Sequence, residues 1–110
     1  MTVVSTLDIA DLTAAEYRNV MDELGVENRP EGGIYLHLTT PIERGFRVFE
    51  IWDEKEGFDR FVERRLAPAS DAVGLDRSME IRVTPLHNFF APRLDELPGL
   101  VGTLPGAPRR

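Results

Sequence analysis

The segment FRVFEIWDEKEGFDRF, from Phe46 to Phe61, constrains this chain most, because a strand of period-2 side chains runs straight into a helix of period-3.6 side chains. Phe46, Val48, Glu50 and Trp52 share one side of the strand, and Arg47, Phe49 and Ile51 share the other. Phe49 and Ile51 suit a face packed by helices. That places Glu50 and Trp52 on the opposite face, as solvated surface or as the lining of a pocket. Asp53 and Glu56 form a capping-box pattern, so the helix is expected to begin immediately after Trp52. Phe58, Phe61, Val62 and Leu66 follow as an apolar stripe, and Pro68 is expected to kink or end the helix.

The remaining segments supply three more strands and one more helix. Thr2 to Ile9 alternates, with Val3, Leu7 and Ile9 against Val4, Thr6 and Asp8. Thr13 opens a capping box with Glu16, Tyr17, Val20, Met21 and Leu24 recur at helical spacing, and Gly25 supplies a left-handed stop. In GIYLHLTT, Ile34, Leu36 and Leu38 alternate with Tyr35, His37 and Thr39, and PIERG turns this strand into the next. In the last strand Met79, Ile81 and Val83 alternate with Glu80, Arg82 and Thr84, and Pro85 demands an edge or a bulge.

The order is β-α-β-β-α-β, an α+β fold of the ferredoxin-like type, with a four-stranded antiparallel sheet and both helices on one face. Parity puts Leu7, Ile9, Leu36, Leu38, Phe49, Ile51, Ile81 and Val83 under the helices. The bare face then holds Thr6, Tyr35, His37, Phe46, Val48, Glu50, Trp52, Glu80 and Arg82. A face with three large aromatics calls for a cover, and a second copy of the chain would close a dimeric α+β barrel around it.

With 110 residues, the chain makes one domain over 1–90, followed by a Pro-rich arm or tail over 91–110. Leu94, Leu97, Leu100, Val101 and Leu104 would clamp the arm across a partner subunit, or else it is a loose tail; in either case the last residues, PGAPRR, are expected to be mobile. The formal charge of -6 and the lack of a basic run argue against a nucleic-acid partner. Without cysteine there is no disulfide or thiolate chemistry. No segment reads as a leader or membrane span, so a cytoplasmic protein is expected.

GGIYLHLTTP, GFRVFEIWDEKEGFDRF and VTPLHNFF, in this strand and helix order, resemble the dimeric α+β barrel superfamily of the antibiotic biosynthesis monooxygenase type. The resemblance covers about residues 2 to 90 and centres on Glu50 and Trp52 at a strand end, before a polar cap and an aromatic helix stripe. It implies a homodimer acting on a small aromatic or polyketide-like molecule, by cofactor-independent oxygenation or by cyclase or isomerase chemistry. A non-catalytic ligand-binding or accessory dimer is the alternative. Haem-degrading members would want a helix histidine, where this chain has Phe58, Phe61 and Arg64.

His37 is the candidate acid or base, since imidazole titrates near neutrality, with Glu50 to orient it and Arg82 to bind an anion formed on the substrate. The simpler alternative makes His37 an ordinary sheet residue, pairs Glu50 with Arg82 and leaves Trp52 to fill the barrel. Tyr35 and Trp52 would stack an aromatic ligand, with Thr6 and Phe46 lining the same face. His87, past Pro85, is either turned toward the site as a binding residue or held at a subunit interface. The two histidines lack metal-ligand spacing, so no metal is expected, and the resemblance implies no organic cofactor.

Overall fold

In the computed structural model, which describes residues 1–108, the first strand β1 (Val3–Ala10) buries every other residue: Val3, Ser5, Leu7 and Ile9. Helix α1 (Ala14–Leu24) starts where the sequence places it. Thr13 Oγ1 accepts from the Glu16 amide at 3.1 Å, and the Glu16 carboxylate accepts from the Thr13 amide at 3.0 Å. Gly25 ends it at φ 67°, in the left-handed region.

Strands β2 (Ile34–Ile42) and β3 (Gly45–Trp52) form the expected hairpin, and β4 (Met79–Pro85) completes a sheet of order β2-β3-β1-β4. Both neighbours of β1 run antiparallel to it. This is the ferredoxin-like α+β arrangement. Pro85 sits at the end of an edge strand, where a missing amide costs no ladder bond. Gly45 has φ 118°, and a Cβ there would lie 2.1 Å from the Ile9 carbonyl oxygen, so β3 can approach β1 at this corner only as glycine.

The second helical stretch departs from expectation at both ends. Helix α2 (Lys55–Phe61) starts one residue later than its capping pattern suggests, with Glu54 at the N-cap in place of Asp53 and no side-chain cap bond. Asp53 is drawn to the hairpin instead: its amide donates to the Gly33 carbonyl at 2.8 Å. The chain continues through a π-helical turn (Val62–Leu66) into α3 (Ala67–Ala72), so Pro68 neither ends nor breaks it. A proline has no amide to give, and its ring crowds the carbonyl four residues back. The wider turn just before it, in which the Ala67 amide reaches the Val62 carbonyl, accommodates both.

The faces of β3 are the reverse of the reading from polarity. Register pairs Val3 with Trp52, Ser5 with Glu50, Leu7 with Val48 and Ile9 with Phe46, so this set lies under the helices. Trp52 packs there against Phe58 and Phe61, with ring centroids 6.0 and 5.5 Å away. Phe49 and Ile51 face the open side with Leu36 and Leu38. Two features mislead. Both sides of β3 are apolar, and β2 carries a bulge between Ile34 and Leu36 that shifts its alternation by one. Ile81 and Val83 do share the helix side with Leu7 and Ser5, whereas Thr6, Arg82 and Glu80 lie on the open face as expected.

The open face is apolar around Val4, Leu36, Leu38, Phe49 and Ile51. At its far end Arg47 grips Asp8 with two bonds of 2.6 and 2.8 Å, which hold the Asp8 carboxyl below its ordinary 3.8. Beyond β4 a 3₁₀ segment (Leu94–Thr103) leads to residues 104–108. These fold back on α1 of their own chain, where Arg18 Nη1 donates to the Gly106 carbonyl at 2.7 Å. Of the PGAPRR stretch expected to be mobile, Arg109 and Arg110 lie outside the described residues. Among the described residues no helix is long and apolar enough to cross a membrane.

Removing the Thr13 cap by Thr13→Ala is expected to lower unfolding free energy by about 1 kcal/mol. Gly45→Ala, which meets both a positive φ and the Ile9 carbonyl, is expected to cost more than the cap. Urea unfolding of the two variants side by side checks the order.

Candidate active site

Between α1, the edge strand β2, and the loop that joins them lies a cavity of about 1040 Å³. Its inner wall is built from the helix-side residues of the hairpin, His37, Thr39, Phe46, Glu50 and Trp52. The opposite wall is α1, through Tyr17, Arg18 and Met21. The loop after α1 contributes Glu27 and Glu31, each stapled to the body by an arginine: Glu27 pairs with Arg18, and Glu31 with Arg65 of the π-helical turn. Arg65 also caps the Leu24 carbonyl at 2.7 Å, so the turn made before Pro68 braces the end of α1.

A chain of hydrogen bonds crosses the cavity wall. Buried Glu50 spends both oxygens: Oε1 accepts from the Trp52 indole N–H at 3.0 Å, and Oε2 lies 2.8 Å from His37 Nδ1. A carboxylate accepts only, so Nδ1 carries a proton, and in the neutral imidazole Nε2 keeps its lone pair. Nε2 lies 2.8 Å from the Tyr17 hydroxyl, which therefore donates to it. Thr39 donates to the Tyr17 oxygen at 3.0 Å and sits 3.1 Å from Nε2. The Tyr17 ring also lies flat over Phe46, with centroids 6.3 Å apart.

Burial is the largest influence on Tyr17 and raises its phenol above the ordinary 10.0; the Thr39 bond pulls the other way. The tyrosine is thus a neutral donor at neutral pH. Carboxylate, imidazole and phenol in line form a relay. A proton arriving at Nε2 makes an imidazolium that Glu50 stabilises at Nδ1, and the phenol can pass that proton between the cavity and the ring.

The expected site residues divide between two sides of the sheet. His37, Glu50, Trp52 and Phe46 come together as anticipated, but on the helix-covered face, and Trp52 is 1% exposed, serving as a buried prop for Glu50. Tyr35, unpaired at the bulge and 69% exposed, lies at the cavity rim. Arg82 and Thr6 pair with each other on the far face, where Arg82 is 3.8 Å from Glu80 and 4.0 Å from Asp8. The alternation of β1 separates them from Glu50, which is opposite Ser5. His87 is exposed beyond β4 and does not line the cavity. In the sequence Tyr17 is one member of an apolar helix stripe. The signal for more was its hydroxyl, which on a core-facing position must find a partner.

No protein-family model and no curated protein matches this sequence. Solved structures do. SnoaB, a cofactor-independent oxygenase from Streptomyces nogalater, superposes with a TM-score of 0.56 at 14% identity, over 80% of this chain and 93% of that one. Rv0793 from Mycobacterium tuberculosis gives 0.57 at 17% identity, over 82% and 98%. A proposed antibiotic biosynthesis monooxygenase from Caulobacter crescentus gives 0.57 at 20%, over 79% and 89%. The chain shares their fold. The likeness drawn from the Glu50 and Trp52 segment is therefore met at the level of architecture.

A difference titration at 295 nm, wild type minus Tyr17→Phe, is expected to show a phenol with its midpoint above 10.0. Because folding holds that phenol neutral, its contribution to stability is complete below pH 10 and is lost as the pH rises through the folded-state midpoint. Thr39→Val removes the bond that favours the phenolate, so its Tyr17 midpoint should move further up.

Proposed function

We propose that the protein is a cofactor-independent oxygenase of an aromatic or polyketide-like substrate held in the cavity beside β2. The observation that carries the reading is the ordered line from Glu50 through His37 to Tyr17, ending on an apolar cavity wall. A phenolic or enolic substrate hydroxyl bonded to Tyr17 gives up its proton through the phenol to His37 Nε2. Glu50 compensates the imidazolium that results. The substrate anion, electron-rich and shielded from water, passes electrons to dioxygen and forms a carbon–oxygen bond. Loss of water from the peroxidic adduct then leaves the oxygenated product, with the proton on His37 returned in that step.

Tyr17, its oxygen held by the Thr39 hydroxyl, supplies the donor for the substrate anion, the part the sequence assigns to Arg82. Phe46 and Tyr35 offer ring faces for an aromatic ligand. The fold shared with SnoaB, itself described as a cofactor-independent oxygenase, agrees with this chemistry. The same relay would serve a cyclase or isomerase, which moves protons without oxygen, and a ligand-binding dimer would use the cavity without turnover.

Product analysis with quinols and aromatic polyketides, under air and under nitrogen, separates these. Turnover that requires air and falls by roughly 10²-fold or more in His37→Ala is expected. Turnover under nitrogen would replace the oxygenase with a cyclase or isomerase, and binding without product would leave a ligand-binding protein.

We also propose that the open sheet face, with Leu38 44% exposed among Val4, Leu36, Phe49 and Ile51, is covered by a second copy of the chain. Sedimentation is expected to give a two-chain particle. Phe49→Glu, placing a charge on that face, should give single chains, and a wild-type monomer would overturn the pairing.

A further inference from the structure

We propose that residues 101–108 form a movable wall of the cavity that selects and gates its ligand, and that Arg18 is the positioning residue that latches it shut. The inference rests on the reading above only in that the cavity receives a ligand. It is independent of the chemistry done there.

Val101, Leu104, Pro105, Gly106, Ala107 and Pro108 all line the cavity, so its volume is set partly by chain beyond the sheet and its helices. Their attachment is slight. Among the described residues, the Arg18 bond to the Gly106 carbonyl is the one hydrogen bond joining this segment to the sheet and its helices, while its other bonds close turns within the tail that follows β4. Val101 and Leu104 remain 48% and 53% exposed, which leaves little apolar burial to hold the wall in place.

The latch is prepared on the other side. Arg18 is only 5% exposed; Asp22 takes its Nε at 3.0 Å, and Glu27 takes Nη2. With those two nitrogens engaged, Nη1 is aimed at the tail, and a planar guanidinium holds such a geometry without further ordering. Glu27 itself lines the cavity, so the latch and the cavity mouth share a residue. The fold neighbours are covered almost end to end, for example 98% of Rv0793, while about a fifth of this chain lies outside the match. The shared fold therefore does not require all of this chain.

A wall held by one charged hydrogen bond and a few half-exposed side chains should open readily, and loss of the bond should open it about tenfold more often. The probes are N-phenyl-1-naphthylamine, a compact uncharged fluorophore, and the longer 1,6-diphenylhexatriene. Stopped-flow release is measured for wild type, Arg18→Met, Arg18→Lys and a chain ended at Leu100.

The expected result is release of the compact probe about tenfold faster from Arg18→Met and from the shortened chain, with partial recovery in Arg18→Lys. The shortened chain should also gain affinity for the long probe relative to the compact one. It keeps Arg18 and its ion pairs, so it stays informative even where Arg18→Met unfolds. Release rates and probe preference unchanged in the shortened chain would overturn the wall while leaving the cavity as a ligand site. Failure of every form to bind either probe would overturn the wall and the proposed function together, whereas binding only after shortening would overturn the moving wall and leave a fixed plug over the cavity.

Discussion

A buried carboxylate organises this protein. Glu50 is 6% exposed in the middle of the sheet, where an unpaired charge would be prohibitive, so its surroundings must deliver donors to both oxygens. Trp52 does so from two residues along the same strand, and His37 from the neighbouring strand. Each solution has further effects. The indole that caps one oxygen is also the large ring against which Phe58 and Phe61 seat the second helical stretch. The imidazole that caps the other is thereby fixed in one tautomer with its free nitrogen toward α1. Core packing and site chemistry meet at one side chain.

The ring of supports around the cavity follows the same logic of satisfying groups that the fold would otherwise strand. The loop after α1 is held to the body where Arg18 of α1 engages Glu27 and Arg65 of the π-helical turn engages Glu31. Arg65 can do this because the π-helical turn carries it to the end of α1, where it also takes the Leu24 carbonyl left unbonded by the helix. The proline that forces the wider turn thus acts at a distance on the mouth of the cavity.

Much of this architecture is legible in the residues. Element order, the capping box at Thr13, the glycine stop at Gly25 and the buried side of β1 are local matters, decided by side chains a few positions apart. So is the pairing of His37 with Glu50 on one face. Which face that is depends on register between strands, and there β3 is ambiguous: Phe46, Val48 and Trp52 on one side outweigh Phe49 and Ile51 on the other only once Glu50 is known to be fully partnered. The capping pattern at Asp53 failed for a related reason, since a tertiary bond to Gly33 claimed its amide. Tyr17 reads as core because a phenol is mostly ring, and its hydroxyl gains meaning only when β2 is laid beside α1.

The bulge at Tyr35 gives β2 a grammar of length. Ile34 and His37 reach the same side of the sheet although three positions apart, because the intervening step opposes two residues to one on β3. Removing the extra residue there would leave one residue opposite one, a plain ladder step that keeps both the imidazole and the Ile34 anchor on the helix side. Removing two would leave the pair adjacent and carry one of them to the wrong side. Among descendants of a common ancestor, the stretch before the histidine is therefore free to lose the bulge but not a further residue, while the loop ahead of Gly33 is free of that arithmetic.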